Sequence, residues 1–179
     1  GVCTHFSLAV ADEDGIVRGD HFLINPYGWH WSEVTASSLV LCDAEGTVLE
    51  GSETVEATAF FIHSRVHLKA PHATCVLHTH MPYATALTLR ENGRLAINDT
   101  IGYNIGYGRD GAGEGDRLAA KLGNASALFL ASHGVIVTGP NVAEAFTDLY
   151  YLERAAQVQV LARSDGSRLR TIPEEVQQR

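Results

Sequence analysis

The sequence predicts an α/β or α+β fold in which most of the sheet is buried. Three observations lead to this class. Short apolar segments separated by turn residues occupy the first part of the chain, and strand-like and helix-like segments alternate after it. In addition, the apolar runs at residues 73–78 and 127–137 have the composition of buried strands.

The first part of the chain predicts a β-meander. Strand-like segments at residues 5–10, 21–25 and 39–42 are separated by turn-forming residues, which include the charged turns at 12–15 and 43–46. Short strands that follow one another in this way are typical of neighbours in one sheet.

A change of period marks the next elements. Apolar residues and histidines recur at a spacing near 3.6 through residues 55–70, and Pro71 stops the pattern, which predicts a helix. The apolar segment 73–78 then predicts a buried strand, and residues 83–91 predict a short helix. Strand and helix therefore alternate in this part of the chain.

The last elements are two helices on either side of a long apolar strand, at residues 113–122, 127–137 and 141–161. Gly123 is typical of the end of the first helix, and Asn141 with Glu144 three residues later resembles a capping box at the start of the last. A Ser-His-Gly sequence at 132–134 interrupts the strand.

Composition excludes several classes of protein. At 179 residues the chain fits a single domain, residues 1–179, and with 45% hydrophobic and 19% charged residues it is too apolar to be disordered. No apolar run approaches the roughly 18 residues of a membrane span. The net charge is −8 and the arginines are scattered, so we expect neither a nucleic-acid nor a membrane partner.

The cysteines and the first residue bear on location. Cys3, Cys42 and Cys75 are odd in number and widely spaced, which favours reduced thiols and therefore the cytoplasm. The chain begins at Gly1 without a Met and enters a strand-like segment directly, so we expect that an N-terminal segment is missing from this numbering.

The spacing of the nine histidines singles out three of them. His78 and His80 stand two residues apart at the end of an apolar strand, so their imidazoles project from the same face. His133 lies in the middle of the second apolar strand, and the adjacent Gly134 indicates a kink or a close backbone approach. One metal ion at about 2.0–2.1 Å would satisfy all three imidazoles, whereas in the alternative each donates to a backbone carbonyl.

His63 and His67 are four residues apart on the predicted helix, which is also a spacing that metal ligands adopt. The protease motif with this spacing needs a Glu directly after the first His, and Ser64 occupies that place. We therefore interpret both histidines as helix residues that pack on the sheet, and His21 and His72 as surface residues.

The remaining motifs are weaker. Residues 25–28 (NPYG) form a turn that could line a pocket. The glycine-rich segment 106–111 matches neither a dinucleotide fingerprint nor a P-loop, so it indicates flexibility. No serine nucleophile elbow occurs, and no cysteine lies in a nucleophile motif. With nucleotide-binding motifs and serine or cysteine nucleophile motifs excluded, the sequence favours metal chemistry.

At this point the sequence resembles the class II aldolase/adducin family, from residue 5 to about residue 162. The resemblance is carried, in the family's order and spacing, by residues 5–7 (HFS), 25–28 (NPYG), 33–39 (EVTASSL), 78–87 (HTHMPYATAL) and 132–135 (SHGV). It implies a three-layer α/β/α fold around a central, mainly antiparallel sheet. It also implies a divalent metal, usually Zn²⁺, with Fe²⁺, Mn²⁺ and Co²⁺ as alternatives, held by His78, His80 and His133.

The sequence departs from the sugar-phosphate enzymes of that family. There the helix before the metal strand begins Pro-Ser-Ser-Glu or Pro-Ser-Ser-Asp, and an ungapped alignment places Glu56, Ala57, Thr58 and Ala59 at those positions. Alanine thus replaces the acid/base carboxylate. The phosphate turn is altered too, and Thr4-His5 replaces a Gly-Asn pair. The pattern resembles the adducin-like bacterial branch, whose animal relatives are cytoskeletal.

We therefore expect a metal-dependent aldolase-type lyase that cleaves a C–C bond through a metal-stabilised enolate. Its substrate would be a small hydroxy-carbonyl or carboxylate compound without a phosphate. The candidate proton acceptors are Glu56, Tyr107 and His5. The candidate substrate-binding residues are His5, Asn25, Tyr27 and Gly28.

Two alternatives remain open. One is a mononuclear iron oxygenase or decarboxylase on the same fold. The other is a non-catalytic, adducin-like interaction protein, which the missing carboxylate favours. The family resemblance also implies a homo-oligomer, a tetramer with sites between neighbouring subunits.

Overall fold

The computed structural model describes residues 4–90, 101–104 and 112–170, together with residues 173 and 176. The eight strands are β1 (His5–Ala11), β2 (Val17–Ile24), β3 (Val40–Asp43), β4 (Val48–Glu50), β5 (Cys75–Thr79), β6 (Ile101–Asn104), β7 (Ala127–Leu130) and β8 (Gly134–Gly139). The four α-helices are α1 (Ala57–Lys69), α2 (Pro82–Thr88), α3 (Ala112–Leu122) and α4 (Val142–Ala162), and a short 3-10 helix spans Ala36–Ser38.

The strands form one sheet in the order β4-β3-β2-β1-β5-β8-β7-β6. Every pair is antiparallel except β6 with β7. The mainly antiparallel sheet and the initial meander are thus confirmed. Because β1 pairs with β5, His5 lies directly across from His78 in the register.

Helices cover both faces of the sheet, which confirms the three-layer α/β/α architecture. Alternate residues of β5 point to opposite sides. Leu77 packs in a core with α2 and α4, whereas Val76 packs in a second core with α1 and α3. His78 follows the direction of Val76, toward α1. In the part of the chain that the structure describes, no helix is both long and apolar enough to cross a bilayer.

The prediction of one long strand at residues 127–137, interrupted at 132–134, is wrong, because this segment is a hairpin of β7 and β8. A turn separates them, and Ser132 adopts a φ of 56° within it. The residues on both sides of the interruption at 132–134 are apolar, so the hydrophobic pattern does not show that the chain reverses direction there. His133 therefore lies in a turn and not in the middle of a strand. The close approach predicted at Gly134 is confirmed, since a Cβ there would lie 2.4 Å from the carbonyl oxygen of Thr79.

Two glycines allow α1 to pack closely. Gly19 on β2 has a φ of +79°, and a Cβ at this position would lie 2.3 Å from the carbonyl oxygen of His67. On the other side, a Cβ at Gly115 of α3 would lie 2.1 Å from the carbonyl oxygen of Phe61. Backbone thus meets backbone on both sides of the helix, which brings the side chains of α1 within reach of β1.

Candidate metal centre

Three histidines from three different segments meet at one end of the sheet. His78 is on β5, His80 lies in the link from β5 to α2, and His133 lies in the turn between β7 and β8. One ring nitrogen from each lies within 4.8 Å of the other two. The Nε2 atoms of His78 and His80 are 3.0 Å apart.

His78 is held in a defined orientation. Its Nδ1 donates to the carbonyl oxygen of Val135 at 3.1 Å, so in the neutral ring the lone pair is on Nε2, which faces His80. Burial, with the neighbouring His5, His133 and His80, keeps the pKa of His78 well below its ordinary value. Burial and His80 lower the pKa of His133 to about 4. Neutral imidazoles are the form that binds a metal.

The donor set fits a divalent cation. Two nitrogens that share one tetrahedral Zn²⁺ at its usual bond length lie about 3.3 Å apart, and the Nε2 atoms of His78 and His80 are 3.0 Å apart. The same short distance also allows His80 Nε2–H to donate to His78 Nε2. The convergence of the third imidazole, that of His133, favours the metal, because one such hydrogen bond needs only two rings.

Helix α2 ties the two ligand-bearing segments together. At its start, the backbone N–H groups of Tyr83 and Ala84 donate to the carboxylate of Glu153 on α4, at 3.1 and 2.8 Å. At its end, the backbone N–H of Ser132 donates to the carbonyl oxygen of Thr88 at 2.9 Å. The first contact fixes the chain just after His80, and the second fixes the turn that carries His133.

His5 lies beside the three histidines. Its ring centroid is 4.7 Å from that of His78, and the two ring planes are inclined by 30°. Burial lowers the pKa of His5 to about 4, although the charge of Glu56 opposes this. His5 is only partly buried, and it lies next to His78.

A buried chain of hydrogen bonds extends from His5 under α1. His5 Nδ1 lies 2.7 Å from His63 Nε2, and His63 Nδ1 makes a short contact with the hydroxyl of Ser7. The same hydroxyl lies 2.6 Å from His67 Nε2, and His67 Nδ1 lies 2.8 Å from the carbonyl oxygen of Ala73. His63 and His67 pack on the sheet, as predicted, and they also connect to His5 and Ser7, which no sequence pattern indicates.

Glu56 caps helix α1. Its carboxylate accepts a hydrogen bond from the backbone N–H of Ala59 at 2.7 Å. Burial opposes its ionisation, but hydrogen bonds from Ala59 and Thr58 and the nearby His5 outweigh burial and lower the pKa of Glu56. The group is therefore an ionised and engaged carboxylate, which weakens it as a base. Tyr107, the other predicted acid/base residue, lies outside the described residues.

The predicted turn at 25–28 has structural contacts of its own. Asn25 Oδ1 accepts from the backbone N–H of Phe6 at 2.8 Å and so ties the turn to β1. Gly28 has a φ of 81°, and the side chain of Tyr27 is exposed. Substrate binding by Asn25, Tyr27 and Gly28 stays a prediction.

The amino-acid sequence of the chain is similar to those of known proteins. Residues 1–160 match the family model described as Class II Aldolase and Adducin N-terminal domain. A Pseudomonas aeruginosa protein with the provisional name aldolase class 2 protein is 34% identical over 184 residues, which cover 98% of this chain and 69% of the relative. Human beta-adducin is 34% identical over 174 residues, which cover 91% of this chain but only 23% of the relative.

Solved structures show the same fold. An aldolase II superfamily protein from Pseudomonas syringae has a TM-score of 0.85 and 33% identity, and the match covers 98% of this chain and 73% of the other. L-fuculose 1-phosphate aldolase from Glaciozyma antarctica has a TM-score of 0.81 and 26% identity, with 99% and 70% covered. Fold, sequence and the family model agree, and the chain belongs to the class II aldolase and adducin family.

Proposed function

We propose that the chain is a divalent-metal-dependent lyase that cleaves a C–C bond in a small hydroxy-carbonyl or carboxylate substrate without a phosphate. The observation that supports this most directly is the convergence of ring nitrogens from His78, His80 and His133 within 4.8 Å. Three neutral ligands are typical of catalytic metal sites, which keep a position open for substrate.

His78, His80 and His133 would hold the metal, with Zn²⁺ as the first candidate and Fe²⁺, Mn²⁺ or Co²⁺ as alternatives. When bound, such a cation supplies Lewis-acid stabilisation of the negative charge that develops on substrate oxygen, worth several kcal/mol. The chain's own part is to orient the ligands. The bond from His78 to Val135 and the ties of α2 do this.

The start of α1 supports a substrate without phosphate. Phosphates commonly bind at helix N-termini, where backbone N–H groups are free to donate. Here the carboxylate of Glu56 accepts the N–H of Ala59 at 2.7 Å, and it also lies near the N–H of Thr58. A carboxylate at this position takes up the donors and repels a second anion. The L-fuculose 1-phosphate aldolase from Glaciozyma antarctica, whose name includes a phosphate ester, is 26% identical to this chain.

Metal analysis tests the central claim. Protein purified without added metal is expected to contain about one divalent ion per chain, and His80→Ala should lose most of it with an unchanged far-UV circular dichroism spectrum. His72→Ala, which alters an exposed histidine, is the matched control and should keep the metal. Stoichiometric metal in His80→Ala would contradict the assignment.

Calorimetric titration with a sugar phosphate and its parent sugar tests the substrate class. We expect no preference for the ester in the wild type, and weak phosphate binding to emerge in Glu56→Gln, which keeps the cap but removes the charge. A preference of the wild-type protein for the ester above about tenfold, or roughly 1.4 kcal/mol, would show that the pocket accepts phosphate.

The similarity to beta-adducin favours a second candidate, a non-catalytic interaction protein. The same metal analysis separates the two, since an interaction protein of this kind has no need of a bound ion. Iron at the site instead of zinc would favour the oxygenase or decarboxylase alternative.

We also propose a cytoplasmic homo-oligomer, a tetramer by resemblance to the family. Free, buried thiols at Cys42 and Cys75 are consistent with a reducing compartment. Large apolar side chains are exposed on α4, among them Phe146 and Tyr151, and such a surface is typical of a subunit contact. Light scattering that reports a monomer at micromolar concentration would rule out the tetramer.

A further inference from the structure

We propose that Ser7, His63 and His67 form a one-way hydrogen-bond relay that holds His5 in the tautomer protonated on Nδ1. The relay thereby presents the unprotonated Nε2 of His5 as an acceptor for a hydroxyl group of the substrate. The tautomer of His5 follows from the contacts of the relay and from the burial of its members. The role toward substrate rests on the proposed function.

The direction of the relay follows from its inner end. The carbonyl oxygen of Ala73 can only accept, so His67 must donate to it from Nδ1. In a neutral imidazole the other nitrogen is then an acceptor, and His67 Nε2 receives the hydroxyl proton of Ser7. Ser7 has a single proton to give, so its oxygen accepts on the other side.

The outer half of the relay follows by the same reasoning. Because the oxygen of Ser7 accepts, His63 donates to it from Nδ1 and carries its lone pair on Nε2. His5 Nδ1, 2.7 Å away, must then donate to His63 Nε2. The proton of His5 is thus on Nδ1, and its Nε2 is bare.

The relay requires neutral imidazole rings, and burial favours the neutral form. Burial lowers the pKa of His67 to about 4, and it keeps the pKa of His63 well below its ordinary value. A charged imidazole would have two donors and would reverse the hydrogen bonds between it and His5, so the tautomer of His5 depends on neutral rings. Ser7, His63 and His67 each have one partner on each side, so the hydrogen-bonding groups of these three side chains are satisfied.

The members of the relay differ in access. Ser7 is 0% exposed, so its hydroxyl cannot reach a substrate as a nucleophile despite two adjacent imidazoles. His63 and His67 are buried as well. His5 is the partly exposed member, and it lies across from His78 at the edge of the candidate metal centre. Ser7, His63 and His67 are therefore positioning residues, and His5 is the residue that meets the substrate.

The resulting site selects for a hydroxyl. A bare imidazole nitrogen accepts a proton donor such as O–H and offers nothing to an ether or a second acceptor. A site that hydrogen-bonds a substrate hydroxyl strongly rejects an analogue without that hydroxyl, because the buried acceptor in the site is then left unpaired. The expected substrate therefore carries a free hydroxyl next to the oxygens that face the three histidines.

Nuclear magnetic resonance of protein with ¹⁵N-labelled histidine tests the relay directly, since protonated and unprotonated ring nitrogens have widely separated shifts. We expect His5, His63 and His67 each to be protonated on Nδ1 alone, in the protein as purified and after loading with Zn²⁺. A His5 protonated on Nε2, or averaged between both nitrogens, would overturn the relay in the wild type without any variant.

Substitution then tests the dependence of His5 on the buried members. In Ser7→Ala, His63 loses its acceptor, and His5 should change from one tautomer to a mixture. Ser7→Thr, which keeps the hydroxyl, should restore the single tautomer. Leu122→Ala is the control, because it removes buried atoms on the same side of the sheet away from the histidines. An unchanged His5 in Ser7→Ala would also overturn the relay.

Calorimetry with glycolate and methoxyacetate on the Zn²⁺-loaded protein tests the role toward substrate. The wild type should bind glycolate at least about tenfold more tightly, and in Ser7→Ala this ratio should fall about threefold or more, but not in Leu122→Ala. An equal ratio in all three proteins would contradict hydroxyl recognition by His5. Protein that shows the expected tautomers but binds no metal would refute the proposed function and leave the relay intact.

Discussion

Helices α1 and α4 pack on opposite faces of the same sheet and bury different kinds of side chain. The buried face of α4 is mostly apolar, with Ala145, Leu149, Leu152 and Ala156 in one core. The buried face of α1 includes His63, Ser64 and His67 among its apolar residues. One face of the sheet therefore holds its helix by apolar contact, and the other adds directional hydrogen bonds.

This difference has a physical consequence for tolerance to change. Apolar contacts are non-directional and their contribution scales with buried area. A small change in packing therefore lowers the free energy of unfolding only gradually. In a buried set of hydrogen bonds the free energy of unfolding falls more abruptly, because removing one atom leaves its partners desolvated and unpaired. The α1 face should therefore be the more sensitive of the two, and it is also the face that carries the candidate chemistry.

The largest effect is expected at the closest approach of α1 to the sheet. Gly19→Ala places a Cβ 2.3 Å from the carbonyl oxygen of His67 and adds strain at a φ of +79°. The free energy of unfolding should fall by about 4 kcal/mol in urea titrations. Gly15→Ala is a matched control, since Gly15 has a φ of +78° with open space around it. It should cost only about 1 kcal/mol. Equal losses would show that strain, and not the approach of α1, determines the cost.

The next largest effect is a pH dependence of the free energy of unfolding, which arises from a buried histidine of α1. Burial lowers the pKa of His67 from 6.5 to about 4, so between these values the unfolded chain binds a proton that the folded chain excludes. The free energy of unfolding should therefore decrease as the pH falls through this window, with a contribution from His67 of about 3 kcal/mol at most.

His67→Phe tests this contribution, because Phe has no titratable group and its ring would lie beside Phe22, whose ring centroid is 5.3 Å from that of His67. Chemical denaturation across the acid range should give a flatter stability profile than in the wild type. His72→Gln, at an exposed position, should follow the wild-type profile. A slope in His67→Phe equal to that of the wild type would contradict the assignment.

The smallest effects give the sharpest contrast between the two faces. Ser7→Ala removes one oxygen atom but leaves His63 and His67 without their shared partner, and it should cost about 2 kcal/mol. Leu149→Met alters more atoms on α4 but conserves volume and apolar character, and it should cost less than about 1.5 kcal/mol. Thermal or urea unfolding measures both. A larger loss in Leu149→Met would reverse the proposed order of sensitivity.

Local signals made much of the fold predictable from the sequence. The meander, the stop of α1 before Pro71 and the Asn141 cap of α4 each depend on residues close together in the chain. The capping bond predicted at Asn141 is present, as its side chain accepts from the backbone N–H of Glu144 at 2.9 Å. Strand β6 was missed because it lies in a glycine-rich region and pairs in parallel with β7, a partner across a helix.

The candidate site was predictable only in part, for the same reason. The spacing of His78 and His80 indicates a shared face, but the position of His133 depends on a hairpin, and the apolar residues on both sides of it resemble one interrupted strand. The relay depends on contacts 56 and 60 residues apart, between Ser7 and the two histidines of α1. Residues 5 and 7 share a strand face, and residues 63 and 67 share a helix face, but no local pattern shows that the two faces meet.

The short length of helix α2 makes its stability depend on contacts at its two ends. It has seven residues, too few to persist alone in water, so it is helical only while its ends are held. Glu153 holds one end, and the turn of His133 is bonded to the other. An ion shared by His80 and His133 would slow the opening of this segment more than that of its surroundings. The exchange of the α2 amide hydrogens with solvent would then report whether the metal site is filled, since exchange would be fast in the metal-free protein and slow in the metal-loaded protein.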